Sequence, residues 1–345
     1  MDTLLGTDVA HAADLLRAGE LVAVPTETVY GLAGHGLRED SLRRIFAVKG
    51  RPLTNPLILH FASVEQLPGY VRFDTIPAAA HQLLAAFSPG PLTLLLPREP
   101  AVVPDLVTAG LPDVAVRIPA HPLVQKLLLQ LDFPLAAPSA NPFGYISPTR
   151  PGHVLGQLGG QIPYVLDGGP CQTGIESTVV GFGADGEPVV YRPGAILLEM
   201  LQAIVPATRL RSAPEKARPA ASPGLLPYHY APHTPLQLFG PGRAALPTFD
   251  PATTGALTLR EPFPNLPAAQ QVVLSPGRGD LAEAAHGLYA ALHHLDALNL
   301  QQLFAERLPD TGLGITLNER LEKAAARKPV IISLGAFPTP PMPIA

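Results

Sequence analysis

Short apolar strands and short helices alternate along the first two hundred residues, and this alternation strongly constrains the fold. Apolar residues at helical spacing run from Asp8 to Ala18 behind Thr7, a candidate N-cap, and Gly19 ends the pattern. A buried strand is predicted at 21–25. The same features predict helices over 41–48, 78–87 and 122–130, and strands over 56–61, 92–97, 114–119, 133–140 and 177–182. The pattern indicates an α/β domain on a twisted open sheet.

A proline-rich segment without charged side chains follows this domain. The chain has 42 prolines in 345 residues, more than twice the usual share of roughly 5%. Between Pro219 and Gly242 there is no Asp, Glu, Lys or Arg, although Leu225, Tyr228 and Tyr230 are present. Such apolar residues favour a linker that lies on a protein surface. We predict a first domain over 1–206, a linker or lid over 207–234 and a smaller domain over 235–345.

The smaller domain also has an α/β pattern. Strands are predicted over 235–239, 256–260, 301–308 and 330–334, and helices over 280–297 and 318–326. This order indicates a second, smaller α/β domain. The chain contains neither a Walker A motif nor GxGxxG, since GLAGHG at 31–36 has the wrong order of glycines.

The composition argues against several classes of protein. Lys and Arg total 24 against 28 Asp and Glu, a net charge of −4, so no global positive field attracts nucleic acid or anionic lipid. A single cysteine, Cys171, excludes an intrachain disulfide and a multi-thiolate metal site. The N-terminal residues do not resemble a signal peptide, and no run of about 18 apolar residues predicts a membrane span. We expect a soluble cytoplasmic protein.

Two polar motifs follow predicted elements of the first domain. PTETVYGL at 25–32 comes directly after a buried strand, where ligands of open α/β sheets bind; a polar turn capped by Thr26 and Thr28 is the alternative. KGRPLTNPLILH at 49–60 holds Lys49 and Arg51 between prolines, a pair suited to a polyphosphate. Here the alternative is a solvated basic helix end.

Further polar residues occur beside other strands. Arg117 lies in the apolar strand VAVRIP, where burial requires an internal carboxylate or a bound anion as its partner. No carboxylate dyad or Ser/His/Asp order is evident, and Cys171 has no further mark of a nucleophile. The remaining candidates are hydroxyl, amide and cationic side chains in glycine- or proline-rich loops, namely Ser139, Asn141, Ser147, Ser177, Thr178 and Arg192. This inventory favours binding of an anionic nucleotide.

In this order, the motifs PTETVYGL, KGRPLTNPLILH, PGPLT, VAVRIP, APSAN, GGPCQTGIESTVV and YRPG resemble the Sua5/YrdC family. SPGLLPYHYAPHTPLQL resembles the linker of the longer Sua5 branch, and the segments around 284–297 and 308–326 resemble its C-terminal domain. The resemblance covers nearly the whole chain. It implies a YrdC-like twisted α/β open-sheet domain followed by a smaller Rossmann-like Sua5 domain.

The resemblance implies synthesis of threonylcarbamoyl-AMP from L-threonine, bicarbonate or CO2 and ATP, with release of pyrophosphate. The product would pass to a tRNA threonylcarbamoyl transferase complex, for modification of adenosine 37 in ANN-decoding tRNAs. By this resemblance Lys49 and Arg51 are catalytic, and Mg²⁺ accompanies ATP without a carboxylate cage of its own. Implied ATP contacts are Arg51, Asn55, Ser139, Ser147, Arg192, His229 and Tyr230; implied threonine contacts are Thr28, His60, Arg117, Ala137, Ser177 and Thr178.

One departure and two alternatives accompany this interpretation. Asp113 stands where the family usually has a hydroxyl contact, so a contact there would come from the main chain or be lost. A related carbamoyl transferase could use the same pocket with another acceptor. A double-stranded RNA binding module is the alternative from another class, although the negative net charge argues against it. Direct tRNA binding, the oligomeric state and the role of the C-terminal domain are not encoded in any motif.

Overall fold

The structure is a computed structural model, and it describes residues 2–211, 229–240 and 248–326. The first part of the chain contains strands β1 Leu4–Gly6, β2 Val22–Val24, β3 Gly31–His35, β4 Ile58–His60, β5 Leu92–Pro97, β6 Asp113–Arg117, β7 Leu135–Ala136, β8 Tyr164–Leu166, β9 Thr178–Phe182, β10 Pro188–Arg192 and β11 Arg209–Leu210. Its α-helices are α1 Val9–Arg17, α2 Glu39–Lys49, α3 Ala78–Phe87, α4 Asp105–Thr108, α5 Pro122–Leu128, α6 Pro151–Leu158 and α7 Leu198–Ile204. Short 3-10 helices occur at Val64–Gly69 and Phe73–Thr75.

The eleven strands form one mixed sheet in the order β1-β8-β2-β3-β7-β4-β6-β5-β9-β10-β11. β4 and β6 are parallel, whereas β5 and β6, and β9 and β10, are antiparallel. Helices cover apolar residues of this sheet, and the largest core cluster includes Leu42, Leu59, Leu94 and Val116. The open α/β sheet predicted for the first domain is therefore confirmed.

The second sheet has four parallel strands in the order β12-β15-β13-β14. Its elements are β12 Leu236–Phe239, β13 Thr254–Thr258, the 3-10 helix Ala268–Gln270, β14 Gln271–Val273, α8 Leu281–Ala297, β15 Gln302–Glu306 and α9 Leu313–Ala325. Their core also contains Val29, Ile146 and Ile175 of the first part of the chain. The two sheets are thus joined through a shared apolar core.

Several predicted elements differ from the observed ones. Asp8, rather than Thr7, caps α1, because its carboxylate accepts the amides of Ala10 and His11. The strand predicted over 133–140 shrinks to β7, since Pro134 and Pro138 cannot donate ladder hydrogen bonds. Helix α9 begins five residues before the predicted start at 318. The strand predicted over 330–334 lies outside the described residues.

Candidate active site

A cavity lies over one face of the large sheet, beside β4 and β6. Ile58 and His60 are two residues apart in β4 and therefore point to the same face. In the register of the sheet, His60 pairs with Arg117 of β6. The cavity is lined by Thr28, Val29, Arg51, Ile58, His60, Arg117, Ala137, Pro138, Ser139, Glu176, Ser177, Arg192, His229 and Tyr230. Residues from distant parts of the sequence therefore meet over the sheet face, rather than only at strand ends.

The end of α2 positions Arg51. Gly50 adopts φ 60°, and the amides of Gly50 and Arg51 donate to the carbonyls of Ala47 and Phe46. This is the glycine-terminated helix end that satisfies the last carbonyls of a helix. Arg51 then donates to the Asn55 carbonyl at 3.1 Å, the Asn55 Oδ1 at 2.7 Å and the Pro56 carbonyl at 2.7 Å. The guanidinium is thereby held in the cavity wall by its own loop.

Burial and charge act on the pKa values of this loop. Burial, with the charge of Arg192, lowers the pKa of Arg51 to about 9. Lys49 lies outside the cavity wall, because its ammonium donates to the carbonyls of Ser139 at 2.5 Å and Asn141 at 2.6 Å. Burial, with the charge of Arg51, lowers the pKa of Lys49. Lys49 thus ties α2 to the loop that carries Ser139.

Arg117 is paired with an internal carboxylate. Its Nη2 donates to Glu27 Oε1 at 2.7 Å and to Thr28 Oγ1 at 2.9 Å, and the pair is almost completely buried. Glu27 Oε2 accepts the Ala120 amide at 3.1 Å. His60 lies beside this pair, and burial, with the charge of Arg117, lowers the pKa of His60 to about 3. The imidazole is therefore neutral at physiological pH and adds no second positive charge beside the Arg117–Glu27 ion pair.

Arg192 lies at the end of β10 and holds the start of β9. Its Nη2 donates to the Ser177 carbonyl at 2.8 Å and Oγ at 3.2 Å, and the Ser177 hydroxyl also bonds Thr93 at 2.7 Å. Gly194 permits this approach, because a Cβ there would lie 2.5 Å from backbone atoms of Ser177 and Thr178. The Thr178 hydroxyl faces away from the cavity and donates to the Ile196 carbonyl at 2.7 Å.

Glu176 connects the cavity to the second sheet's helices. Its carboxylate accepts Ser147 Oγ at 2.8 Å, the Tyr289 hydroxyl at 2.8 and 2.9 Å, and Arg320 Nε at 2.9 Å. Burial opposes ionisation, but the charges of Arg320 and Arg192 prevail and lower the pKa of Glu176 to about 2. The carboxylate is therefore ionised at neutral pH and held from both parts of the chain.

His229 and Tyr230 close another side of the cavity. Tyr230 is buried with φ 63°, its ring stacks on that of Tyr289 at 5.6 Å, and the Arg320 guanidinium lies 5.1 Å above it. The His229 amide donates to the Lys323 carbonyl at 3.3 Å. His229 and Tyr230 thus pack between the two parts of the chain. Residues 212–228 of the linker predicted over 207–234 lie outside the described residues.

Ten of the fourteen predicted site residues line the cavity. Lys49, Asn55 and Ser147 instead support residues of the wall, and Thr178 faces away from it. Asp113 is also outside the lining: it begins β6 whereas Arg117 ends it, about 13 Å away at the usual rise of a strand. Sequence reasoning missed Val29, Ile58, Pro138 and Glu176 in the wall, and Tyr289 and Arg320 behind it. The sole sequence signal for any of them was the glutamate of GGPCQTGIESTVV, which is Glu176.

The cavity offers little to a resident metal or a thiol nucleophile. Among the described residues, no group of three or more His, Cys, Asp or Glu side chains could hold a metal ion. Glu176, the carboxylate of the lining, already accepts bonds on both oxygens. Burial raises the pKa of Cys171 to about 12, so its thiol stays protonated.

In the described ranges, no helix is both long and apolar enough to span a bilayer.

Two family models match adjoining parts of the chain. Residues 14–194 match the Sua5, YciO and YrdC model, described as "Telomere recombination". Residues 196–326 match the model described as "Threonylcarbamoyl-AMP synthase, C-terminal domain". Together they cover the sequence from α1 to α9.

Curated relatives are similar over most of the chain. A Bacillus subtilis threonylcarbamoyl-AMP synthase is 40% identical over 324 residues, which cover 92% of each chain. The Pyrococcus abyssi protein of the same name is 38% identical and covers 91% of this chain and 93% of its own. The Schizosaccharomyces pombe protein of that name is 36% identical and covers 92% of this chain and 88% of its own.

Solved structures agree with these relatives. P. abyssi Sua5 complexed with L-threonine has a TM-score of 0.83 and 35% identity, covering 94% of this chain and 98% of that one. A variant of the same protein with a His and a Tyr replaced by alanine has a TM-score of 0.82 and 34% identity, covering 94% and 96%. Because family models and relatives span both parts of the chain, the protein belongs to the Sua5/YrdC family, in its longer Sua5 branch.

Proposed function

We propose that this chain synthesises threonylcarbamoyl-AMP from L-threonine, bicarbonate or CO2 and ATP, and releases pyrophosphate. The observation that supports this most is the single cavity in which Arg51, Arg117 and Arg192 converge. Three guanidinium groups in one cavity suit a reaction that joins a polyphosphate and a carboxylate. The relatives named threonylcarbamoyl-AMP synthase cover most of this chain, and a solved relative is complexed with L-threonine.

We assign the two substrates to different parts of the cavity. Arg51 and Arg192 would bind the triphosphate of ATP, because a guanidinium can donate to two phosphate oxygens in one plane. Arg117, with Thr28 beside it, would bind the threonine carboxylate. His60, neutral through burial, adds no charge that would repel the threonine ammonium.

Magnesium would enter with ATP as part of the substrate. The cationic and hydroxylic lining does not fit a resident Mg²⁺, which prefers carboxylate and water oxygens. Bound to ATP, the ion neutralises charge on the triphosphate. The chain's own contribution is to orient the α-phosphorus and to exclude water.

In the proposed reaction, the threonine ammonium first loses a proton to solvent. The amine then attacks CO2, a C–N bond forms as one C=O π bond breaks, and a second proton leaves the nitrogen to give a carbamate. A carbamate oxygen attacks the α-phosphorus, a new P–O bond forms, and the bond to pyrophosphate breaks. Positioning and charge neutralisation carry such reactions, with little covalent chemistry from the protein. Arg51 and Arg192 would stabilise charge on the leaving pyrophosphate, while Arg117 would orient the threonine. The adenylate would then pass to a tRNA threonylcarbamoyl transferase complex in the cytoplasm, where ATP and tRNA are present.

Pyrophosphate release is expected to require threonine and bicarbonate together, since their carbamate is the nucleophile. The measurement is pyrophosphate release from Mg-ATP with each component omitted in turn, with mass spectrometry of the adenylate. Serine at equal efficiency, or full release in degassed buffer, would contradict this function. Another amino acid adduct would instead identify a related carbamoyl transferase. ATP-independent RNA retention with a steep salt dependence would indicate the RNA-binding alternative.

Replacing both His229 and Tyr230 by alanine is expected to weaken ATP binding about threefold to tenfold and to release adenylate as AMP. The cavity has a volume of about 60 Å³, room for only a few waters, and His229 and Tyr230 form part of its wall. We propose that these two side chains move and then exclude water. His233→Ala is a matched control, because His233 stacks on Tyr145 outside the cavity. Wild-type ATP affinity and adenylate yield in the double variant would contradict this proposal and leave the segment around His229 and Tyr230 as a passive spacer.

A further inference from the structure

We propose that Arg320, which lies on α9 of the second part of the chain, is a positioning residue for ATP. It pairs with Glu176 in the cavity wall, so that this carboxylate competes less with the triphosphate for Arg192. This inference rests on the proposed function, because it assumes that the polyphosphate of ATP enters the cavity. It gives the C-terminal domain an electrostatic role in the reaction.

The contacts of Glu176 support the first step. It is the carboxylate of a cavity lining that also contains Arg51 and Arg192. On the proposed function, it would therefore face the added negative charge of the polyphosphate. Arg320 Nε donates to its Oε2 at 2.9 Å, with the arginine side chain 1% exposed and the glutamate 8% exposed. A buried carboxylate without such a cation carries a large desolvation cost.

The other contacts of Arg320 bring it next to Arg192. Its Nη2 donates at 2.8 Å to the carbonyl of Pro193, the residue directly after Arg192. Its Nη1 donates to Glu319 at 2.8 Å, and its guanidinium lies over the Tyr230 ring. Arg320 is therefore fixed between Glu176 and the backbone that carries Arg192, rather than free to move into the cavity.

Without Arg320, the negative charge of Glu176 would weaken ATP binding in one of two ways. Arg192 already acts on this carboxylate through its charge, so Glu176 would either attract Arg192 away from the phosphate or repel the phosphate itself. The charged and titratable groups that act on Glu176 are Arg320 on α9, Tyr289 on α8, Arg192 on β10, and His229 and Tyr230 in the linker. Beyond them, Glu319 and Lys323 act on Arg320, and Lys49 and Arg51 act on His229.

The experiment compares three full-length variants with the wild type: Arg320→Met, Glu176→Gln, and both together. Equilibrium dialysis gives the Kd for Mg-ATP and for L-threonine at pH 8. Arg320→Met is expected to raise the ATP Kd at least fivefold and to change the threonine Kd less than twofold. Adding Glu176→Gln is expected to bring the ATP Kd back to within twofold of the wild-type value, because the unpaired charge is gone.

A purely structural role for Arg320 predicts a different pattern. Glu176→Gln would then add a second loss, and the double variant would bind ATP no better than Arg320→Met. That result would overturn the proposal, as would wild-type ATP affinity in Arg320→Met. Arg307→Met is a matched control, since Arg307 pairs with Asp310 and Glu322 away from this cavity; its ATP Kd is expected to stay within twofold.

The pH dependence provides a readout that lost packing would not produce. Without Arg320, burial acts with less opposition and raises the pKa of Glu176 above its wild-type value. ATP affinity of Arg320→Met is therefore expected to improve, relative to the wild type, as the pH falls and Glu176 becomes protonated. The relative improvement is expected to be absent from the double variant, which cannot titrate at residue 176. An equal improvement in the double variant would contradict the assignment to Glu176.

A folding defect and a failure of the proposed function can both be distinguished from a failure of this inference. If Arg320→Met does not fold, the double variant is the test of the proposal. It is expected to fold and to bind ATP with a Kd within twofold of the wild-type value. Failure in either respect overturns the proposal. If the wild-type chain does not bind ATP, the proposed function fails first. If the wild type binds ATP and the charge pair has no effect, only the inference fails.

Discussion

Replacement of Arg117 by alanine is expected to lower the free energy of unfolding by about 3 to 5 kcal/mol, because it leaves Glu27 as a buried carboxylate without its cation. Threonine binding is expected to weaken more than tenfold, since a lost charge-assisted bond costs roughly 1.5 to 3 kcal/mol. Urea unfolding measures the first effect, and the threonine KM at saturating ATP measures the second.

Two further variants separate the effect of lost charge from the effect of lost packing. Arg117→Met combined with Glu27→Gln removes the unpaired charge and is expected to recover most of the lost stability, but not the threonine affinity. Arg44→Ala, which breaks an exposed pair with Glu20, is expected to cost no more than about 1 kcal/mol. If Arg117→Ala raised only the KM for ATP, its assignment to the threonine side would be wrong.

Replacement of Arg51 by alanine is expected to weaken ATP binding about ten- to hundredfold, since a charge-assisted bond to phosphate contributes roughly 1.5 to 3 kcal/mol. Its three hydrogen bonds to Asn55 and Pro56 also hold the loop that carries it. The variant therefore loses a phosphate contact and its preorganised loop. The ATP Kd and the KM for ATP measure the effect.

Arg51→Lys is the matched control for charge alone. Lysine keeps the positive charge but lacks the planar fork that reaches Asn55 and Pro56 together, so it is expected to recover only part of the lost ATP affinity. The threonine KM is expected to change less than threefold in both variants. An unchanged ATP Kd in Arg51→Ala, or a loss confined to threonine, would remove Arg51 from the ATP site.

Much of the local structure was predictable because its causes lie close together in the sequence. Helix α3 has the predicted bounds at 78–87, since its apolar spacing and flanking prolines act over a few residues. Asp280 caps α8 at the predicted start for the same reason. Strand β3 was missed, because its residues 31–35 contain two glycines and are buried through the sheet rather than through an apolar pattern.

The sequence by itself determined that the chain is α/β in both parts and that cations and hydroxyls collect in a few motifs. Only the tertiary structure decided which partner each buried charge has. Arg117 meets Glu27 across 90 residues and Arg320 meets Glu176 across 144. Motif spacing describes neighbours along the chain, whereas the free energy of a buried charge depends on groups that folding brings within hydrogen-bond distance. For that reason ten of the fourteen residues that line the cavity could be named in advance, but the pairs that hold them could not.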